Sequence, residues 1–405
     1  MSGSGLWHAE HAWLGHAAED VLIKVARGRF EAISEGVPMP AGATALKGWT
    51  IPGLANVHSH AFQRALRGRV ESGAGDFWEW RQRMYDAAEW DVVGYRTHCR
   101  AVFQEMLGAG ITAVGEFHYL HAQGNALGRA MIQAAQEVGI RLTLLDACYL
   151  RGGLDGRRLE GAQRTFSDGD AEHWVRRMDE LRESDGVRIG AAIHSVRAVD
   201  ARSMRTVASW ARERGAPLHV HLAEQPGEVD ECAAVEGCTP TELLEREGIL
   251  GPDLTAVHAI HVSDGDISLL GRQQVTVCAC PTTERDLGDR VGPLQQLSAA
   301  GCPLSVGSDS NAVIDMLEES RALELDQRRA TGRRVLHQPE ELLRAATSGG
   351  MRALGWQSGD LKPGSLADFV TLGHSGPLSA ASIVFAASGR DVTNVVVGGM
   401  TVLAT

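Results

Sequence analysis

Residues 51–64 read "IPGLANVHSHAFQR", with His58 and His60 one residue apart at the end of a short apolar run. In an extended strand, residues i and i+2 share a face, so both imidazoles point the same way. A buried imidazole is costly without a partner, and two that converge fit a shared metal ion. Other apolar runs end in ionisable groups as well. His194 lies in "IHSVR", His219 and His221 in "HVHLAE", His258 in "LTAVHAI" and Asp309 in "GSDS". Three imidazoles and one carboxylate suit Zn2+ or another borderline divalent ion, with a position left for water. Alternation alone does not choose between His219 and His221, because both face the same side.

These residues need elements that bring them to one place. Eight β-branched, apolar runs recur at 54–60, 111–120, 141–150, 187–196, 216–224, 254–260, 275–281 and 303–310. Amphipathic stretches such as 96–110, 126–139, 201–215 and 239–248 separate them. Alternating strand and helix implies a parallel sheet with helical crossovers. Eight units over roughly 250 residues are the count of a closed (β/α)8 TIM barrel, whose chemistry sits at the C-terminal ends of the strands. An open doubly wound sheet would carry a glycine-rich phosphate loop after its first strand, and "HSHAFQR" is not one. Residues 1–50 and 358–405 instead read as short strands with Gly/Pro turns. Neither piece could bury a core alone, so the two termini are expected to form one small β-sandwich-like domain beside a barrel at 51–357.

Bulk properties narrow the function. The chain has 405 residues and a net charge of −12 without a run of Lys or Arg, which argues against nucleic acid as a partner. No stretch approaches the roughly 18 apolar residues of a membrane span, and the N-terminus lacks the pattern of a secretion signal. Seven scattered cysteines fit reduced thiols in a cytoplasm. The only lysines are Lys24, Lys47 and Lys362.

HxH after strand 1, histidines on strands 5 and 6 and an aspartate on strand 8 resemble the amidohydrolase superfamily. The resemblance covers nearly the whole chain, including "GDLKPGSLADFV" near the C-terminus. Superfamily members with two metals usually bridge them through a carboxylated lysine on a barrel strand, and no lysine lies between Lys47 and Lys362. One metal is therefore implied. Finer matches, among them "NVHSHAFQRALRG", "FWEWRQRMY", "IHSVRAV", "HVHLAEQPGEVDEC", "TERDLGD" and "GSDSNAVIDMLEESRALELDQR", are similar to the N-formimino-L-glutamate deiminase family, hydrolases of histidine degradation that release ammonia from a formimino group.

That resemblance implies His58, His60, His221 and Asp309 as metal ligands, with zinc, or Fe2+ as the alternative, as the ion. The HxxE spacing from His221 to Glu224 favours His221 over His219. His258 and Asp309 resemble the pair that removes the proton of the attacking water. Glu224 resembles the residue that passes a proton to the imino nitrogen, a task suited to a carboxyl whose pKa a dry pocket raises. The implied substrate is a small dianion derived from an amino acid, and guanidinium forks suit its two carboxylates. Arg81 and Arg197 are the matching candidates, with Gln63, Tyr119 and His194 as further substrate contacts. The family also implies a homodimer. Asn311 stands where a histidine is common, a departure that borders the site and leaves substrate identity open. The rival reading is a related aminohydrolase acting on a purine, pyrimidine or triazine.

Overall fold

The computed structural model describes residues 2–68, 83–85 and 88–404. Four strands open the chain: β1 (Gly5–Trp13), β2 (Ala17–Ala26), β3 (Arg29–Ser34) and β4 (Thr44–Pro52). Eight more follow: β5 (Leu54–Ser59), β6 (Ile111–His118), β7 (Arg141–Cys148), β8 (Val187–Ile193), β9 (Leu218–Leu222), β10 (Leu254–His258), β11 (Thr276–Ala279) and β12 (Leu304–Val306). The chain ends in β13 (Phe369–Leu372), β14 (Val392–Val397) and β15 (Met400–Ala404). Strands β5 to β12 pair in sequence order in one parallel sheet. The terminal strands form a second, seven-stranded sheet in the order β15-β14-β13-β4-β1-β2-β3. Each expected barrel run contributes one strand. They were readable because a parallel strand covered on both faces is a nearly continuous apolar run.

The parallel sheet closes on itself at a narrow seam. β12 meets β5 through a bridge between Ser59 and Asp309. Asp309 donates its N–H to the His58 carbonyl, and its own carbonyl accepts from the His60 N–H, both at 2.9 Å. Gly307 permits this approach, since a Cβ there would lie 2.7–2.8 Å from His58 atoms. A buried side-chain network backs the seam. The Asn56 carboxamide accepts from Ser308 N–H at 2.9 Å and donates to Ser308 Oγ at 2.6 Å. Ser308 Oγ in turn donates to Asn311 Oδ1 at 2.6 Å. Asn311 Nδ2 donates to Ser59 Oγ at 2.9 Å and to the His60 carbonyl at 3.1 Å. Asn311 is thus a seam residue, fully buried and turned away from the pocket, which corrects its reading as a border of the substrate site.

At the other end of the barrel, the helix Ser348–Ala353 and Leu354 form a floor. Met351 and Leu354 pack with Val57, Ala113, Val257 and Cys278 from the strands, and Thr143 donates to the Leu354 carbonyl at 2.9 Å. Any ligand must therefore enter from the C-terminal mouth.

Arg141, at the start of β7, ties the barrel to the terminal sheet. Its guanidinium makes a bidentate pair with Asp368, next to β13, at 2.6 and 2.9 Å, and both side chains are almost fully buried. Asp368 also accepts from the Gly398 N–H at 2.7 Å. Removing one member of a buried pair strands the other charge, at about 3–5 kcal/mol. Arg141→Met is expected to lower unfolding stability by that amount in urea titrations. Arg141→Met combined with Asp368→Asn should recover part of the loss, because no unpaired charge then stays buried.

Candidate active site

The strand ends deliver four donor atoms to one point. His58 Nε2 lies 3.1 Å from His221 Nε2, and Asp309 Oδ1 lies 3.4 Å from both His58 Nε2 and His60 Nε2. All four side chains are buried. His60 Nδ1 donates to the Phe117 carbonyl at 3.0 Å, and His221 Nδ1 donates to the His194 carbonyl at 2.9 Å. A carbonyl can only accept, so Nδ1 carries the proton in each ring and the Nε2 lone pair faces the centre. Burial pushes His58 down to about 3 against the opposing pull of Asp309. Burial also lowers His60, and it lowers His221 far more, where neighbouring imidazoles add to the effect. Burial alone would raise the Asp309 carboxyl, but the His58, His258 and His60 imidazoles around it hold it well below the usual carboxylate range. Neutral imidazoles aiming lone pairs at one another beside an ionised carboxylate fit a borderline divalent cation.

Strand alternation by itself does not bring these residues together. The β5–β6 register shifts between Asn56 and Ser59, so Val57 packs on the floor while His58 also turns inward. In β10, Val257 pairs with His221 and shares its face, while His258 pairs with Leu222. A regular strand would turn His258 outward. His258 instead has φ 72° and Ala259 φ 51°, which swings the imidazole back over the mouth. Ala223 (φ 48°), Asp309 (φ 45°) and Asn311 (φ 59°) share this left-handed conformation at neighbouring strand ends. Non-glycine residues adopt it rarely, and such strain gathers at functional sites.

His258 joins the site through acids. Its Nε2 lies 3.8 Å from both Glu224 Oε1 and Asp309 Oδ2, and its Nδ1 is 3.1 Å from Glu284 Oε1. Burial disfavours its charge, but Glu224, Glu284 and Asp309 prevail and push it up to about 10. Burial pushes the Glu224 carboxyl up to about 7, opposed by His258. Of the two, the Glu224 carboxyl is the one placed to give or take a proton near neutrality.

A cavity opens above them, lined by Gln63, Tyr119, His194, Arg197, Glu224 and His258 together with His60, His221 and Asp309. Gln63 donates to the Tyr119 hydroxyl at 3.2 Å, and its buried Oε1 has no partner among the described residues. Arg197 donates Nε to Glu228 Oε2 at 2.9 Å, while its two Nη nitrogens have no partner among the described residues. Burial would lower the Arg197 guanidinium pKa, but Glu228 raises it instead. Arg81 lies outside the described residues. His219 is set below the site, its Nε2 3.1 Å from the Ala353 carbonyl at the floor.

Several site residues escaped the sequence reading. Tyr85, Tyr149 and Phe166 line the cavity, with the Tyr149 ring edge-on to His194 at 4.4 Å. Glu228 and Glu284 lie within the quoted stretches "HVHLAEQPGEVDEC" and "TERDLGD", but nothing in their spacing marks them as buried. Cys280 comes close to His258 and Asp309. Burial drives its thiol far above the ordinary range. His118, His121 and Asp146 form another buried group behind the barrel wall. There Arg177 Nη2 donates to His121 Nε2 at 3.2 Å and to Asp146 at 2.7 Å, which leaves that group as an ion-pair network.

Comparisons with known proteins agree with this geometry. The amidohydrolase family profile matches residues 49–402. Formimidoylglutamate deiminase of Pseudomonas aeruginosa is 34% identical over 92% of this chain and 90% of its own length. A 5-methylthioadenosine/S-adenosylhomocysteine deaminase of Natronomonas pharaonis is 29% identical over 86% of this chain and 80% of its own. A crystal structure of an amidohydrolase from Brucella melitensis superposes with a TM-score of 0.92 at 32% identity, covering 99% of this chain and 95% of that one. A barrel that closes through its own candidate ligands, a mouth of converging imidazoles and a match over nearly all its length place this chain in the amidohydrolase family.

Proposed function

We propose that the protein is a mononuclear, zinc-dependent deiminase that hydrolyses N-formimino-L-glutamate to N-formyl-L-glutamate and ammonia. The observation that carries this reading is the pairing of two unlike ends in one cavity. Converging donors with the Glu224–His258 pair stand at one end, and the open Nη edge of Arg197 stands at the other. The 34% identity to a formimidoylglutamate deiminase supports it.

On this reading His58, His60, His221 and Asp309 would hold the ion, which would lower the pKa of water enough to supply hydroxide near neutral pH. His258 Nε2 would orient the attacking water, and Asp309 would take up its proton as the oxygen bonds to the formimino carbon. Glu224, whose pKa burial raises, would give its proton to the imino nitrogen, making it an amine. The proton held by Asp309 would then pass to the same nitrogen while Glu224 takes back the hydroxyl proton, so that the C–N bond breaks, ammonia leaves and the new C=O completes the formyl group on the glutamate nitrogen. Arg197, with Arg81 as the second candidate, binds the carboxylates. Gln63, Tyr119 and His194 orient the substrate through hydrogen bonds.

A second reading has one observation in its favour. Tyr85, Tyr119, Tyr149 and Phe166 give the cavity aromatic walls that could enclose a purine or related ring. Their rings meet edge-on or tilted, as Tyr119 and Phe166 do at 5.0 Å and 82°, which stiffens the walls for either ligand.

Ammonia release from formiminoglutamate, run beside guanine, adenine and cytosine, separates the two readings. Turnover of the linear amidine alone, lost with a chelator and restored by Zn2+, is the expected result. Deamination of a base with no activity on formiminoglutamate would replace this proposal with the second reading. Arg197→Met removes charge-assisted hydrogen bonds of about 1.5–3 kcal/mol, so KM for formiminoglutamate should rise roughly 10- to 150-fold. Glu224→Gln should lower kcat by about 10²–10⁴ with metal content unchanged by elemental analysis.

A further inference from the structure

Glu228 is 1% exposed and lies in the first turn of the helix Pro226–Glu236, four residues beyond Glu224. A carboxylate so deeply buried needs partners for both oxygens, and it has them. Glu228 Oε2 accepts from Arg197 Nε at 2.9 Å. Glu228 Oε1 accepts from the Ala223 N–H at 3.2 Å. Ala223 is the strained residue, at φ 48°, that stands between His221 and Glu224. Its carbonyl also accepts from the His261 N–H at 2.9 Å, so its conformation sets the course of the chain from one site residue to the other.

We infer that Glu228 is a positioning residue that couples the anion-binding end of the cavity to the proton-donating end. The inference rests on the reading that Arg197 takes a substrate carboxylate. With Nε committed to Glu228, the guanidinium turns its Nη1/Nη2 edge to the ligand, the edge that binds carboxylate as a fork. Arg151 steadies the other side of this arm. It donates to the carbonyls of Val196, Arg197 and Val199 at 2.9, 3.2 and 3.2 Å, so the loop that carries Arg197 is fixed at the backbone. A carboxylate bound at Arg197 therefore orders the guanidinium, the guanidinium orders Glu228, and Glu228 orders the Ala223 peptide that aims Glu224. Binding energy from the unreactive end of a substrate is thereby available for orientation at the reacting end.

Two experiments test the coupling. The first uses the unaltered, metal-loaded protein and glutarate, a dicarboxylate that cannot react, at a concentration shown by calorimetry to saturate. Hydrogen exchange of the Ala223 and Glu224 amides should slow at least tenfold with glutarate. Exchange that stays unchanged, or an absence of glutarate binding, overturns the inference. The second is a kinetic cycle on formiminoglutamate with Arg197→Met, Glu228→Gln and both together. A glutamine can accept at only one of the two contacts, so Glu228→Gln should raise KM at least tenfold and lower kcat at least fivefold. The double variant should have a KM within threefold of Arg197→Met alone. Effects on KM that multiply instead would mean that Glu228 does not act through Arg197, and would overturn the inference. Should Glu228→Gln fail to fold, the exchange measurement still decides. Absence of formiminoglutamate turnover in the unaltered protein speaks against the proposed reaction, whereas turnover without coupling speaks against Glu228 alone.

Discussion

Asp309 is bound to the first barrel strand by two backbone hydrogen bonds, one to each of the histidines whose side chains meet its carboxylate. The contact that shuts the barrel is thus also the contact that assembles the donor cluster. A barrel that failed to close would lose the cluster, and a disturbed cluster would loosen the seam. The polar network behind the seam follows from this constraint. Asn56, Ser59, Ser308 and Asn311 are buried, and buried polar groups hold a structure together only when they satisfy one another. Each of them spans β5 and the β12 end, so hydrogen bonds rather than apolar packing set the distance between His58 and Asp309.

The same mouth carries a cost in backbone strain. Ala223, His258, Ala259, Asp309 and Asn311 all adopt positive φ, at roughly 1–2 kcal/mol for each L-residue in that region. Strain of this kind persists only where the surroundings over-determine it. Here the determinants are visible: the Ala259 N–H bonds to Leu222, the His261 N–H bonds to Ala223, and the Asp309 peptide is bonded on both sides. Left-handed residues thus follow β9 and β12 and close β10, where the site side chains leave the strands. The strain is a condition of aiming His258 and Glu224 at the same point.

These details explain which features were legible in the sequence. The eight strands could be read because burial on both faces writes a continuous apolar run, and His58 and His60 because their two-residue spacing still brings both rings to the mouth although the register shifts between Asn56 and Ser59. His258 could not be oriented by alternation. Its place opposite Leu222 predicts the outward face, and no residue type announces a left-handed histidine. Glu228 and Glu284 look like ordinary acids in the first turn of a helix, where charge usually faces water. Only the register of other elements reveals that Arg197, Ala223, His258 and Cys280 surround them. Asn311 misled for a related reason. Nearness to Asp309 in sequence suggested the pocket, but its φ of 59° turns the carboxamide toward the seam.

Charge at the cavity has a direction that bears on the ligand. Glu224, Glu284 and Asp309 gather around His258, and burial pushes nearby Asp289 up to about 6, with Glu284 and Asp309 adding to the effect. Arg197 stands apart from this group on Glu228, so the arginine and its partner form a neutral pair whose outer edge still offers donors. On the proposed reading, the carboxylate of the substrate meets the donor edge of the guanidinium at one end of the cavity, which leaves its amidine at the other, beside Glu224 and His258.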